Sequence, residues 1–229
     1  MKRIALFILS LALAAPAFAQ EEDSRDIYTN GIFAFNIADH VGWGYNIVTT
    51  DAFTPAYCGE YFINVLALKV RPVQGLTLKL GVDCKWDDFS SKNDFFYRNP
   101  ADNKTVQVVK KTDVFSLARA ENYSSRFGYF ALAVPVMAKV SFDKFDIGGG
   151  AELNFNLAGS VRHSYYRGDT NTSVSTTKIG LNTFTYNFMG FVGFDGFDVF
   201  AKFYPKASRP LAAGSLNYSC WTIGVAADF

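Results

Sequence analysis

The sequence feature that most constrains this chain is an alternation of apolar and polar residues that runs to its last position. Trp221, Ile223, Val225, Ala227 and Phe229 fall on one side, and Cys220, Thr222, Gly224, Ala226 and Asp228 on the other. Period two is the signature of a β-strand with two unlike faces. Further alternating segments lie near 31–48, 60–72, 75–88, 125–143, 145–165, 178–194 and 197–207, which makes eight with the terminal one. Segment 145–165 shows the pattern best: Phe145, Ile147, Ala151, Leu153, Phe155, Leu157 and Val161 oppose Asp146, Gly148, Gly150, Glu152, Asn154, Asn156, Ser160 and Arg162. In the first segment Asp39 interrupts the face carrying Phe33, Phe35, Ile37, Val41, Trp43 and Tyr45, which marks either a bulge or a shifted register.

The connections alternate in length. "RPVQG", "DKFD" and "FDGF" are tight turns after the second, fourth and sixth segments, the last of the Asp-Gly hairpin kind. The other connections are longer, above all residues 89–124. Short turns at one rim and long loops at the other give an all-β, eight-stranded antiparallel up-and-down transmembrane β-barrel, with short periplasmic turns and longer extracellular loops. An even number of strands closes without an exposed edge, as hydrocarbon requires.

The other end of the chain sets the compartment. "MKRIALFILSLALAAPAFAQ" has a basic start at Lys2 and Arg3, an uncharged apolar run and small residues around Phe18. Residues 1–19 read as a secretory signal peptide, cut after Ala19, against the alternative of a membrane anchor. Residues 20–30 follow as a short periplasmic segment, and 31–229 as the barrel. No later stretch approaches the ~20 apolar residues of a spanning helix. With 22 basic and 21 acidic residues, the charge offers no electrostatic case for nucleic acid. Cys58, Cys84 and Cys220 show no zinc or redox spacing, and nothing points to a cofactor. Cys84 and Cys220 lie on opposite strand faces and Cys58 in a loop; a Cys58–Cys84 bridge suits an oxidising compartment but is not expected.

Alternation alone does not say which face is outside. A lipocalin-like periplasmic barrel would turn its apolar face inward around a lipophile. The apolar face here is too bulky for an eight-strand bore, whereas the polar face is rich in small residues and mixed charge. Lys69, Lys139, Glu152, Arg162 and Lys202 are therefore expected to form a lumen charge cluster, paired because buried charges must be. Aromatics end the apolar face at both rims. Phe142, Phe145, Phe194, Phe197 and Phe229 lie by the short turns, and Trp43, Trp86 and Trp221 toward the long loops. Phe229 to Trp221 spans roughly 20 Å at ~3.3 Å per residue and ~40° tilt, near the ~25 Å apolar band of such barrels. These residues are expected to form an aromatic girdle against outer-membrane lipid.

The stretches "FALAVPVMAKVSF", "RPVQGLTLKLGV" and "IGVAADF" resemble the outer-membrane protein β-barrel domain family, the small eight-stranded "porin family" barrels of Gram-negative bacteria. The resemblance covers nearly all of the chain after residue 19. It implies location in the cell outer membrane and a C-terminal strand whose last residue, Phe229, is read by the barrel-assembly machinery. It implies no particular activity.

Some small outer-membrane barrels are enzymes that modify lipid A, as hydrolases or acyltransferases, with His, Ser and a carboxylate near the outer rim. Here His163 is followed by Ser164 in "VRHSYYR". Neighbours on a strand point to opposite faces, so a partner serine has to come from elsewhere. The expected reading is a rim histidine, and His40 a hydrogen-bonding group of the lumen. The loop near 89–124 is the candidate surface for an external ligand, with "TVQVVKK" and "VFSLARA" as a hairpin above the membrane. The function expected is a non-catalytic, structural or surface-interaction barrel with a narrow, side-chain-filled lumen; a lipid A-modifying enzyme and a lipocalin-like binder are the alternatives.

Overall fold

The structure is a computed structural model that describes residues 33–113, 121–142, 145–167 and 170–228. The signal-peptide segment 1–19, segment 20–30 and Phe229 lie outside the described residues. The strands are β1 (Phe33–Ile37), β2 (His40–Thr49), β3 (Pro55–Val73), β4 (Leu76–Ser91), β5 (Asp94–Arg98), β6 (Val106–Lys110), β7 (Glu121–Phe142), β8 (Phe145–Arg167), β9 (Thr170–Thr177), β10 (Phe184–Phe194), β11 (Phe197–Tyr204) and β12 (Ser219–Asp228). All pairings are antiparallel.

β1 and β2 both pair with β3, so they share one position, and the neighbours run β3, β4, β7, β8, β10, β11, β12. β12 then pairs with β2 from Ser219↔Thr49 to Asp228↔His40, closing a ring of eight positions with no free edge between them. β9 extends the ring beside β8, and β5 pairs with β6 as a separate hairpin.

The turns follow from local chemistry. Between β10 and β11, Asp195 and Gly196 both adopt positive φ (51° and 83°), the two-residue geometry that matches strand twist. Gly75 takes φ 81° between β3 and β4. The interruption at Asp39 is a bulge. Ala38 sits at φ 56°, costly for a residue with a Cβ, and Asp39 turns inward, where Asn36 Nδ2 donates to its Oδ1 at 2.8 Å. Register against β3 moves by one residue there, yet Val41, Trp43 and Tyr45 keep the outward face.

The two faces are reversed relative to a water-soluble domain. Outward positions hold exposed Phe35, Leu68, Leu80, Val136, Leu153 and Ile223, whereas Asn46, Glu60, Asn64, Lys85, Glu152, Asn187 and Lys202 are buried inside. A soluble monomer does not expose an apolar surface running around its whole sheet.

Two sequence expectations need correction. Cys58 is not in a loop: β3 begins at Pro55, and Cys58 points inward, fully buried. All three cysteines are free. The hairpin over the long-loop rim pairs "DFFYR" (β5) with "VQVVK" (β6), and "VFSLARA" lies outside the described residues. It does not project freely, because Phe96 and Val106 are fully buried.

Candidate functional site

The ring interior is layered, and β3 threads every layer. Cys58, Glu60, Phe62, Asn64, Ala67 and Lys69 follow one another down its inner face, with one register shift between Asn64 and Leu66 keeping Ala67 inside.

At the long-loop end is an apolar plug. Phe89 and Phe127 stack with centroids 4.8 Å apart, and Phe96 meets Phe127 edge-on at 5.1 Å. Phe53, Cys58, Val161, Ile179, Leu211, Leu216 and Tyr218 belong to the same cluster. Three loop segments are laced together over it: Gly180 N–H donates to Lys104 O at 2.7 Å, Ala212 N–H to Gly180 O at 3.0 Å, and Leu216 N–H to Val106 O at 3.1 Å. Asp94 ties the hairpin down by accepting from Lys110 Nζ (2.6 Å), Thr54 N–H (2.6 Å) and Ser91 Oγ (2.8 Å). Burial alone would push its carboxyl up; these donors outweigh it and hold the group below the usual carboxylate range.

Beneath the plug is a charge layer. Lys85 Nζ donates to Glu152 Oε1 (2.6 Å) and Lys202 Nζ to Glu152 Oε2 (3.0 Å). Lys202 also pairs with Glu60, whose second oxygen accepts from Tyr204 OH. Asn187 Nδ2 reaches Glu152 Oε1 at 2.7 Å. The four charged side chains are each at most 1 % exposed, so their mutual pairing offsets a desolvation cost of several kcal/mol per ion.

An aromatic layer follows, with Phe62, Phe191 and Phe200 beside Met137. Inward glycines make room for it: a Cβ on Gly42 would fall 2.1 Å from Phe62 Cζ, and one on Gly148 2.3 Å from Phe191 Cζ. The lowest layer is polar again. Asp39 pairs with Lys69 Nζ at 2.6 Å and with Lys79, while His40 Nδ1 lies 2.8 Å from Lys79 Nζ. Lys139 Nζ meets Asp146 Oδ2 at 2.9 Å. A small cavity of about 60 Å³ opens among His40, Lys69, Arg71, Lys79 and Lys139.

The expected lumen cluster is therefore divided. Glu152 and Lys202 meet, but Lys69 and Lys139 belong to the lower layer, with other carboxylates. Arg162 is not in the interior. A bulge pairs Phe130 with Ala158 but Ala131 with Asn156, which reverses parity above it. Val161 turns into the plug, fully buried, and Arg162 turns outward opposite Arg126. Glu60 and Lys85, absent from the expected cluster, belong to the charge layer, as does the buried Asp87, which sits opposite Glu60 and accepts from Asn46 Nδ2 at 3.1 Å. Lys85 stood on the polar parity of its segment and was legible; Glu60 sat at a segment's edge.

His163 does find a serine, on the neighbouring strand. Ser125 Oγ lies 3.1 Å from His163 Nδ1 and accepts from Phe96 N–H at 2.9 Å. Phe95 stacks on the imidazole at 4.2 Å. The pair faces the interior under the hairpin and is turned away from the outer wall, where a lipid substrate would approach.

On that wall the expected girdle residues form two rows. Trp43, Tyr61, Trp86 and Phe130 are successive cross-strand partners, and Phe203 pairs with Trp221. At the short-turn end Phe142, Phe145, Phe194 and Phe197 are successive partners. Phe229 lies outside the described residues. Phe130 to Phe142 along β7 is roughly 30 Å at ~3.3 Å per residue and ~40° tilt, near the thickness of a hydrocarbon core.

No family model matches the sequence, and no curated protein matches it. Among solved structures, two mutants of Rh. blastica porin align with 86% of this chain at 13% identity, with TM-scores of 0.21 and 0.20, and each is covered over 100% of its length. Likeness at that level carries no argument for the fold or the role.

Proposed function

We propose that this protein is an eight-stranded outer-membrane β-barrel, exported by its N-terminal segment and non-catalytic, with a structural or surface-interaction role and a sealed lumen. The observation that carries this reading is the reversed face pattern: a closed ring with an exposed apolar wall and charged, hydrogen-bonded side chains inside. Hydrocarbon is the solvent that favours that arrangement. The aromatic rows stand at the two borders of the hydrocarbon core, and the Trp43 indole N–H donates to Tyr57 OH at 3.3 Å, an apolar body with a polar edge. Phe229 serves as the terminal signal for the barrel-assembly machinery, and the loop-end surface over the β5–β6 hairpin meets external partners.

The layering supports a closed lumen. The apolar plug lies above the charge layer and the aromatic layer below it, so a hydrated ion meets two apolar barriers. A lipocalin-like role is disfavoured because the inward face at mid-height carries Glu60, Lys85, Glu152 and Lys202. A lipid A-modifying role is disfavoured because the Ser125–His163 pair is buried and faces inward.

Heat-modifiable gel mobility of the full chain in outer membranes tests the reading. A detergent-resistant barrel migrates faster unboiled than boiled. Recovery from the soluble periplasm with no mobility shift overturns the membrane assignment. Lipid A that changes between a wild-type and a His163→Ala strain overturns the non-catalytic one.

A further inference from the structure

The wall above the upper aromatic row carries charge that a lipid-facing surface does not need for folding. Arg126 and Arg162 are direct cross-strand partners between β7 and β8, and both face outward. Like charges directly opposite on a sheet are destabilising. One carboxylate serves both: Asp88 Oδ2 lies 3.2 Å from Arg126 Nη1 and is within Coulombic reach of Arg162. Two cations share one anion, which leaves a net positive charge on half-exposed side chains.

Their height is specific. Arg126 stands four residues beyond Phe130 on β7, roughly 10 Å above the aromatic row at ~3.3 Å per residue and ~40° tilt. That is headgroup level. Between the arginines and the aromatics the wall holds the cross-strand partners Gly128 and Ser160, too small to block the way down. Both arginines border a long, open groove that takes in Trp86, Phe130 and Leu157 and extends on to Phe197 and Val225 toward the short-turn end.

We propose that the Arg126–Arg162 pair binds the phosphate of an anionic lipid of the outer leaflet, whose acyl chain lies in the groove against Trp86, Phe130 and Leu157. Paired guanidinium forks match a phosphate's oxygens, and an anion between them turns a repulsive pair into an attractive one. Asp88 orients Arg126 and weakens the site by its own charge. This site rests on the outer-membrane reading.

The test uses the full chain folded in detergent micelles. It is offered phosphorylated lipid A or the same lipid with its phosphates removed, and native mass spectrometry measures the lipid retained. The wild type retains the phosphorylated lipid. The double variant Arg126→Ala, Arg162→Ala loses retention roughly tenfold or more, the Arg→Lys double variant falls between, and Asp88→Ala gains. Equal retention of both lipids by the wild type, unchanged retention by the alanine double variant, or full displacement by inorganic phosphate overturns the proposal. Heat-modifiable mobility is read on every sample. If the wild type shows no shift, the barrel reading fails and the lipid site with it; if all variants shift but none retains lipid selectively, the lipid site alone fails.

Discussion

Lys202 Nζ on β11 lies 3.0 Å from Glu152 Oε2 on β8, and both side chains are 1 % exposed. The two strands flank β10, whose Asn187 also reaches Glu152 at 2.7 Å, and Lys202 reaches farther across the interior to Glu60 on β3. Lys202 also packs 4.3 Å from the Phe62 centroid, so the charge layer and the aromatic layer below it are one construction.

Removing one member takes a charged partner from the others. Glu152→Leu is expected to cost about 3–5 kcal/mol, because Lys85 and Lys202 both lose a carboxylate in a buried site. Lys202→Met with Glu60→Leu, which removes a cation and an anion together, is expected to cost less than the sum of the single changes. Urea unfolding in lipid vesicles measures both.

The outer wall makes a sharper test of environment. Val136 and Leu153 are half-exposed on the apolar band, on neighbouring strands. In water, arginine at such positions changes stability by about 0.5 kcal/mol or less. In a bilayer, Leu153→Arg is expected to cost about 2–4 kcal/mol. Unfolding free energies compared in vesicles decide between the two.

The inward glycines are set by space. Gly148→Val is expected to destabilise by about 1–3 kcal/mol, since its Cβ meets the Phe191 ring and, 2.6 Å away, the Ala138 carbonyl oxygen. Pairing it with Phe191→Ala relieves the ring contact but not the backbone one, so rescue is partial. The temperature at which the heat-modifiable shift disappears reports both.

Asp94 links pH to the loop-end cap. Its carboxyl is held below the usual range, so its contribution is present above the ordinary carboxylate value of about 4 and is lost as pH falls through the lowered folded value. In micelles, the Thr54 amide proton is expected to keep its bonded shift at pH 5 and to lose it at a pH below about 4. Asp94→Asn is expected to abolish that titration and to loosen the hairpin at neutral pH. An amide NMR titration reads this out.

Much of the ring was legible because strand parity is local. A residue's face depends on its neighbours at i±2, so Phe35, Leu80 and Leu153 outside, and Lys85, Glu152 and Lys202 inside, follow from reading along the chain. Turn chemistry is local too: Asp195-Gly196 names its own geometry. The two faces, the eight positions and the turn-rich rim can thus be read along the chain.

What it left open is decided by contacts between distant residues. The bulge at Asn156–Ala158 is set by packing against β7, and no residue beyond it signals that Arg162 has changed sides. Lys85 and Glu152 are 67 residues apart, and which of several inward lysines reaches which carboxylate depends on the height at which register places them. The apolar plug is likewise tertiary: Phe53, Ile179 and Tyr218 come from separate loops, where no periodicity exists to be read, and Phe96 joins them from the β5–β6 hairpin. Period two assigns a side, whereas height, pairing and closure are properties of the assembled ring.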